Sequence, residues 1–278
     1  MILLCIAMLS VSTSPIIARF LDNVPAVTIS FWRMSFGAMI LWFISIFKKQ
    51  TPLNSKQLKR TWLAGIMLGI HFALFFGSIK LTTIANATFL GTLAPLFTFI
   101  IEKFILKRHH SKFLLFGLGF AIFGATIIIS NQFDFSSKYT IGNLLAIACS
   151  MFLGVGFIIS ENVRKEISTI SYSRTLFSTA ALTLFIISLF TQSSLFGYSK
   201  IDFIYLLLLG IIPTLFGHGL MYHSIKHVSP TIVASTPMGE PIIASLLAWL
   251  LFNEIIGFIT LIGGIITMVG LFILAKQK

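Results

Sequence analysis

Residues Ser224–Ile273 read SIKHVSPTIVASTPMGEPIIASLLAWLLFNEIIGFITLIGGIITMVGLFI, and the chain contains an earlier version of this stretch. The earlier version spans Ser78–Ile127, and a shift of 146 positions without a gap brings the two into register. The matched pairs include Ser78 and Ser224, Ile79 and Ile225, Lys80 and Lys226, Pro95 and Pro241, Leu115 and Leu261, Gly117 and Gly263, Gly124 and Gly270, and Ile127 and Ile273. Proline and glycine fix backbone geometry, so their coincidence indicates two related halves.

The composition places the chain in a membrane. Of its 278 residues, 56% are hydrophobic and 10% are charged, with a mean hydropathy of +0.98, whereas about 25% of the residues of a soluble domain are charged. The surface must face lipid, which excludes a soluble globular protein. The formal net charge of +12 therefore indicates loop topology and contact with lipid headgroups, and we expect no nucleic-acid partner. Cys5 and Cys149 lie in apolar runs, where we expect no disulfide.

Ten stretches of the chain have the roughly 20 mostly apolar residues that a membrane span requires. They are residues 1–19, 25–47, 61–79, 81–106, 112–130, 141–160, 170–190, 201–223, 229–252 and 255–275. The first begins MILLCIAMLSVSTSP and has no basic residue ahead of its apolar run. We interpret it as a retained span and not as a signal peptide. The longest polar linker is KKQTPLNSKQLKR, residues 48–60.

Lysine and arginine are distributed unequally between alternate loops, with fifteen in one set and four in the other. The larger set is Lys48, Lys49, Lys56, Lys59, Arg60, Lys103, Lys107, Arg108, Lys112, Arg164, Lys165, Arg174, Lys226, Lys276 and Lys278. The smaller set is Arg19, Lys80, Lys138 and Lys200. Cytoplasmic loops carry the excess of basic residues in membrane proteins. The larger set is therefore predicted to be cytoplasmic, with both chain termini on that side.

Each half contains an odd number of predicted spans, so the second half must lie upside down relative to the first. We predict an all-α membrane protein with ten transmembrane helices in two inverted five-helix repeats, residues 1–130 and 141–276. Inverted repeats place a pathway at their interface near the middle of the bilayer, where discontinuous helices bind substrate. A receptor or a structural protein needs no such duplication, so the pattern predicts a transporter.

Several short motifs recur at corresponding places along the chain. In the first half they are Ser14-Pro15, Arg19, Ile29-Ser30-Phe31-Trp32-Arg33, Lys80, Ala85-Asn86-Ala87, Pro95, Gly117 and Gly124. In the second half they are Lys226, Glu240-Pro241, Phe252-Asn253-Glu254, Gly263-Gly264 and Gly270. With these motifs the chain resembles, over essentially its whole length, the EamA-type branch of the drug/metabolite transporter superfamily. The resemblance implies ten helices in two inverted repeats, and export or exchange of small metabolites, amino acids or drugs.

One position departs from the family pattern. Members usually carry a glutamate after the fourth helix, as Glu254 stands in the second half, but the repeat register places Arg108 at that position in the first half. We therefore expect that the role of this glutamate is performed in the second repeat only.

Two charged residues lie deep inside predicted spans, where ionisable side chains are costly and are functional candidates by default. Glu240 lies roughly 18 Å from either end of the ninth span, at 1.5 Å per residue, and we expect no other acidic residue so deep. It binds substrate or a proton, or it caps backbone groups freed by Pro237 and Pro241. Arg33 in the second span needs an acceptor, which is an anionic substrate, Glu240 or the outer lipid headgroups.

Histidines form a second group of candidates. His71 and His218 lie in the corresponding third and eighth spans. They either line a cavity and relay protons or are hydrogen-bonded core residues. His223 and His227 share one helix face, but they lie at a helix end where histidines are ordinary. We expect no metal there and no cofactor elsewhere.

The equivalent prolines Pro95 and Pro241 are expected to form a shared kink or hinge. Polar groups near them bind substrate or the carbonyls that the prolines release; these are Asn86, Thr88, Thr92, Ser235 and Thr236. The paired glycines are seven residues apart in each half. We expect them to pack helices within the bundle and not between two chains.

We predict a secondary transporter that moves a small organic metabolite or drug-like solute across the membrane by alternating access, in the direction of export. Uniport, exchange and proton antiport all remain open at this stage. The alternatives are a channel-like facilitator and an intramembrane enzyme; the sequence has no His-Glu-x-x-His or Gly-x-Ser-x-Gly motif, which disfavours the enzyme. The expected partners are the solute and the lipid bilayer. We expect a monomer or homodimer in the bacterial cytoplasmic (inner) membrane.

The topology is testable with single cysteines at positions 56 and 138 in a chain without Cys5 and Cys149. Lys56 is predicted to face the cytoplasm and Lys138 the outside, because they belong to the basic-rich and basic-poor loops. An impermeant thiol reagent added to intact cells should label position 138 and spare position 56. Labelling at 56 with protection at 138 would reverse the orientation.

Overall fold

The computed structural model describes residues 1–48, 50–82, 84–129, 139–253 and 257–276, which form helices and connecting loops without a strand. The α-helices are α1 (Ile2–Val11), α2 (Ser14–Ala18), α3 (Ala26–Phe47), α4 (Ser55–Leu81), α5 (Ile84–Gly91), α6 (Ala94–Ile100), α7 (Lys112–Ile129), α8 (Thr140–Arg164), α9 (Thr169–Phe190), α10 (Lys200–Leu209), α11 (Leu220–Ser224), α12 (Pro230–Ala234), α13 (Glu240–Phe252) and α14 (Phe258–Ala275). Two π-helices, π1 (Ile101–Ile105) and π2 (Gly210–Gly219), and the 3-10 helix Thr236–Gly239 join some of these pieces. The all-helical prediction is therefore confirmed for these ranges.

Within the described ranges, six helical runs are long and apolar enough to cross a membrane. They are Ala26–Phe47, Ser55–Leu81, Thr140–Arg164, Thr169–Phe190, Lys200–Ser224 and Pro230–Phe252. Shorter apolar runs cover Ile2–Ala18, Lys112–Ile127 and Leu261–Leu274. Large apolar side chains stand outward on these helices, as the 85% exposure of Phe190 illustrates. Such a surface suits hydrocarbon and not water.

Two predicted boundaries are wrong. Helix α4 begins at Ser55 and not at residue 61, because Asn54 and Gln57 form a capping box in which each side chain binds the other residue's backbone N–H. That cap makes the last part of the polar linker helical. The predicted span 81–106 is not continuous either, since α5 ends at Gly91 and α6 begins at Ala94.

The breaks in two helices fall at the equivalent prolines. Pro95 lies in the first turn of α6, and Pro241 lies in the first turn of α13, after the 3-10 helix. A proline in the first helical turn loses no intrahelical hydrogen bond, yet it prevents the preceding segment from running on without a bend. The repeated proline therefore produces a discontinuous helix in each half.

Helices α7 and α14 cross at the repeat-equivalent glycines. Gly124 approaches so closely that a Cβ atom there would lie 2.6 Å from the carbonyl oxygen of Gly263. In the same way, a Cβ atom on Gly270 would lie 2.7 Å from the carbonyl oxygen of Gly117. Each contact joins one residue of either repeat, and the shift of 146 positions exchanges the two contacts. The prediction that these glycines pack within the bundle is confirmed.

The centre of the bundle is formed where α3, α4, α8, α9 and π2 pack together. Its buried side chains are mostly aromatic and branched aliphatic, and they include Leu68, Phe72, Phe157, Phe177 and Tyr222. Glycines let α4 approach α9, since a Cβ atom on Gly65 would lie 2.8 Å from the carbonyl oxygen of Leu176. This close packing brings the polar faces of α3, α4 and π2 to one place.

The helix crossing predicts a contrast between two glycines of α7. Gly124→Ala should lower the free energy of unfolding by about 1–3 kcal/mol, because the new methyl group overpacks the contact with α14. Its matched control is Gly119→Ala, since a Cβ atom at Gly119 has no neighbour within 4 Å. Thermal unfolding of both purified variants in detergent measures the difference. Equal stability of the two would contradict the close crossing.

Candidate functional site

The buried guanidinium of Arg33 lies at the meeting point of several helices. Its side chain on α3 is 2% exposed. Arg33 Nε donates to Thr214 Oγ1 on π2 at 3.2 Å, and Nη1 donates to Ser14 Oγ on α2 at 3.3 Å. The guanidinium carbon lies 4.3 Å from the ring centroid of Phe72 on α4. Nη2 is buried and has no hydrogen-bond partner among the described residues, so one charged donor is left for a further acceptor.

The local fold of π2 explains why Thr214 and His218 are available there. Pro213 has no N–H and cannot give the carbonyl of Leu209 its α-helical hydrogen bond, and the run from Gly210 to Gly219 is a π-helix. The hydroxyl of Thr214 donates to that carbonyl at 2.8 Å and accepts from Arg33. In the widened turn, Nδ1 of His218 lies 3.1 Å from the carbonyl oxygen of Pro213. A helix defect thus positions two side chains of the site.

Two histidines flank the ring of Phe72. His71 lies 4.8 Å and His218 lies 5.1 Å from that ring, measured between centroids. Nδ1 of His71 is 2.9 Å from the carbonyl oxygen of Cys149 on α8. A carbonyl only accepts, so Nδ1 of both histidines carries the proton of the bond. Each Nε2, for which the described residues supply no partner, is free to bind a solute group or a proton.

Glu240 completes the cluster at the start of α13. It is partly exposed, and α13 as a whole buries none of its residues. Arg33 lies within electrostatic range of Glu240 and of both histidines. In the described ranges no side chain or backbone N–H donates to the Glu240 carboxylate, and its interaction with Arg33 is purely coulombic. The four predicted residues Arg33, His71, His218 and Glu240 are thus brought together.

The other predicted polar residues lie elsewhere. Asn86 on α5 donates to Asn143 on α8 at 2.8 Å. Ser235 and Thr236 stand at the break between α12 and α13, and Ser235 donates to the carbonyl of Thr231 in its own helix. Thr92 bonds the carbonyl of Phe89 beside the first break. The side chain of Thr88, like the whole of Glu254 and Lys138, lies outside the described residues.

A second polar centre was missed by the sequence analysis. Glu102 in π1 is fully buried, and Glu161 near the end of α8 is 7% exposed. Glu240 is therefore not the only acidic side chain held inside the bundle. Arg108 donates to Glu102 at 2.7 Å and to Glu161 at 2.6 Å. Partial burial disfavours the charge of Arg108, but the bonds to Glu161 and Glu102 outweigh it and raise the pKa of Arg108 above its ordinary value.

Arg164 was also misplaced by the sequence analysis, which counted it as a loop charge. It is 1% exposed. Its guanidinium donates to the carbonyl oxygens of Tyr222 and Ile167 and to Thr169 Oγ1. Thr169 in turn contacts Nδ1 of His223 at 2.7 Å. His223 therefore has a hydrogen-bond partner of its own, and no group of three metal-ligating side chains exists among the described residues.

An apolar groove between α13 and α14 is lined by no residue of either polar centre. It has a volume of about 480 Å³. Its lining is apolar and consists of Ile242, Leu246, Leu261, Gly264, Ile265, Met268, Val269 and Phe272. It holds no group that would orient a polar solute, so the cluster around Arg33 is the better candidate site.

Comparison with known proteins identifies the family of the chain. The model of the EamA-like transporter family matches residues 1–130 and 140–276. The chain belongs to this family. It is 21% identical over 256 residues to the pseudopaline exporter CntI of Pseudomonas aeruginosa, covering 92% of this chain and 88% of the relative. It is 27% identical to the uncharacterized transporter YyaM of Bacillus subtilis over 173 residues, 58% of this chain and 55% of that one.

A solved structure titled only "Crystal structure of protein" has the same fold. It superposes with a TM-score of 0.83 at 18% sequence identity, and the match covers 99% of this chain and 95% of the other. Family membership and the apolar helices together identify a multi-pass integral membrane protein with transporters as its relatives.

Proposed function

We propose that this protein is a secondary transporter that exports a small organic solute by alternating access, with the Arg33 cluster as its binding site. The observation that carries the proposal is the buried Nη2 of Arg33, which has no hydrogen-bond partner among the described residues and lies within electrostatic range of Glu240. A charged donor in a low-dielectric setting is costly unless an acceptor arrives. A solute with an anionic group would supply one. The named export function of the pseudomonal relative supports the outward direction.

Ten spans in two inverted repeats, residues 1–130 and 141–276, fit the packing. The reciprocal glycine contacts between α7 and α14 are what a two-fold relation between antiparallel halves would produce. The segments α5, α6 and π1 together have the length of one broken span, and α12 to α13 form its counterpart. Both halves contribute to the site, since Arg33 and His71 come from the first and His218 and Glu240 from the second. Rocking of one half against the other would then expose the site alternately.

The proposed setting is the bacterial cytoplasmic (inner) membrane, with both termini and the basic loops in the cytoplasm. The partners are the solute and the bilayer. One chain contains the whole cluster, so transport requires no second copy, although a homodimer of independent carriers is compatible with it. Ser235, Thr236, Asn86 and Thr88 are kept as further candidates along the path.

Flux in membrane vesicles tests the function. Vesicles carrying the protein are loaded with panels of small organic anions, zwitterions and cations, and their efflux is compared with that of vesicles without it. A transporter gives saturable flux and counterflow, in which unlabelled solute on one side drives labelled solute from the other. Flux that does not saturate and shows no counterflow would instead identify a channel-like facilitator.

Substitution of Glu240 tests whether its carboxylate has a structural or a functional role. Glu240→Gln keeps the shape of the side chain, and no short ion pair to Arg33 is lost, so we expect the free energy of unfolding to change by less than about 1 kcal/mol. Transport of the identified solute should fall by about tenfold or lose its response to an imposed pH gradient. A Glu240→Gln variant that unfolds several kcal/mol more easily would make the residue structural. The control is Glu166→Gln, an exposed carboxylate in a loop.

The prolines at the two breaks are proposed hinges. Pro95→Ala and Pro241→Ala should leave folding intact, because both residues lie in a first helical turn. They should slow transport by about tenfold, because each helix can then continue straight through the break and the hinge is lost. Pro52→Ala, in an exposed loop, is the control. Wild-type transport rates in both variants would show that the breaks are not hinges.

A further inference from the structure

The loops at one end of the bundle, here called the basic end, are joined to each other by polar contacts. Ser168 donates to Gln50 at 2.6 Å, and Gln57 donates to Glu166 at 2.7 Å. These residues belong to the loops that hold most of the lysines and arginines of the sequence. The end is closed around a group of four side chains, the basic-end cluster, which consists of Glu102, Arg108, Glu161 and Thr231.

The basic-end cluster joins three separate elements through a single buried carboxylate. Oε1 of Glu102 accepts from Arg108, and its Oε2 accepts from the hydroxyl of Thr231 on α12. Arg108 continues the chain of bonds to Glu161 on α8, and Lys165 approaches Glu161 at 3.3 Å. Glu102 and Thr231 have no exposed surface. Glu102 thus bonds π1 to α12 through Thr231, and Arg108 bonds the loop after π1 to Glu161 on α8.

The basic-end cluster and the Arg33 site share the broken helical run from α12 to α13. Thr231 and Glu240 belong to one broken helical run, nine residues apart, which corresponds to about 13 Å of helix rise. Ser235 and Thr236 occupy the interval, and they are 1% and 6% exposed. The side chains of this interval are therefore packed inside the protein. A path along the run would require π1 and α12 to separate, which breaks the bond of Thr231 to Glu102.

We propose that Glu102, Arg108, Glu161 and Thr231 form the inner gate of the transporter, and that Arg108 is its bridging residue. The inference rests on the proposed transport function. It assigns a gating role to residues that do not belong to the proposed binding site. In the closed state Arg108 donates to two carboxylates, one of them fully buried, and Lys165 adds a second positive charge beside Glu161. When the gate opens, water replaces the protein partners of Glu102 and Glu161. Weakening the bridge shifts the equilibrium towards the open state, because an unpaired carboxylate is more costly in the closed interior than in a hydrated opening.

The gate is tested by the accessibility of a reporter cysteine, without any solute. Ser235→Cys is nearly isosteric and is placed in a chain lacking Cys5 and Cys149. An impermeant thiol reagent is added to the vesicle face from which a cysteine at position 56 is labelled. Arg108→Gln and Glu161→Gln should each raise the labelling rate of the reporter by about tenfold. Lys107→Gln, which neutralises an exposed neighbour of Arg108, should leave it unchanged.

Two further variants identify the bridge itself. Arg108→Lys keeps the charge but loses the planar fork that reaches two carboxylates, so it should also raise labelling. The double variant Arg108→Gln with Glu161→Gln should label no faster than Arg108→Gln alone, because the shared bond is already broken. Thr231→Val removes only the hydroxyl donor on α12 and should also raise the labelling rate. It serves as the test variant if thermal unfolding shows that a charge variant is not folded. Folded variants that label at the parent rate would overturn the gate.

The outcomes distinguish the gate from the transport function. Labelling needs no substrate, so a chain with no detectable flux still reports whether the cluster closes the basic end. Conversely, normal flux together with unchanged labelling in Arg108→Gln, Glu161→Gln and Thr231→Val would eliminate the gate and leave the proposed transport in place.

Discussion

A backbone carbonyl released inside a membrane must find a donor within the protein, and this requirement governs the centre of the molecule. Pro213 cannot give Leu209 its α-helical hydrogen bond; the run turns π-helical there, and the hydroxyl of Thr214 also donates to the Leu209 carbonyl. The same hydroxyl accepts from Arg33, while the widened turn places His218 against the carbonyl of Pro213. The groups that face the candidate solute are thus held by the repair of a helix defect, which fixes them more firmly than a surface loop would.

Part of this site could be predicted because ionisable residues are conspicuous in apolar runs. Arg33, His71, His218 and Glu240 were identified in that way, and the fold brings them together. Their partners could not be predicted, since a threonine or serine such as Thr214 or Ser14 is ordinary in a membrane helix. Whether its hydroxyl reaches a guanidinium depends on how two distant helices pack.

The basic end escaped prediction for a different reason. Glu102 and Glu161 stand within about two turns of helix ends, where charged side chains normally reach water. Counting Arg108 and Arg164 as loop charges assumed that both arginines are solvated. Burial of these residues is a property of tertiary packing, which hydropathy along the chain does not contain. The early start of α4 has a local cause, the capping box of Asn54, which a purely apolar criterion overlooks.

The two ends of the bundle are held by different kinds of contact. At the end opposite the basic loops, the guanidinium of Arg19 lies 4.6 Å from the ring of Phe252, and Phe20 stacks on Tyr205 at 5.0 Å. Ring contacts tolerate sliding better than charge-assisted hydrogen bonds do. The sequence shows the same difference between the two ends. In the repeat register, Ala248 and Ala85 occupy the positions equivalent to Glu102 and Thr231.

This difference has a consequence for the kinetics of a carrier. A transport cycle that is not coupled to an ion brings its solute to equal concentrations on both sides of the membrane. The free-energy difference between the two states of the empty protein does not change this end point, because it cancels around the closed cycle. The apparent KM does not cancel in this way, since it rises as the fraction of binding-competent protein on that face falls. A carrier that rests with its basic end closed therefore has a lower apparent KM for solute arriving from the opposite face. Its apparent KM for solute on the basic side is higher, so half-saturation from that side requires a higher solute concentration.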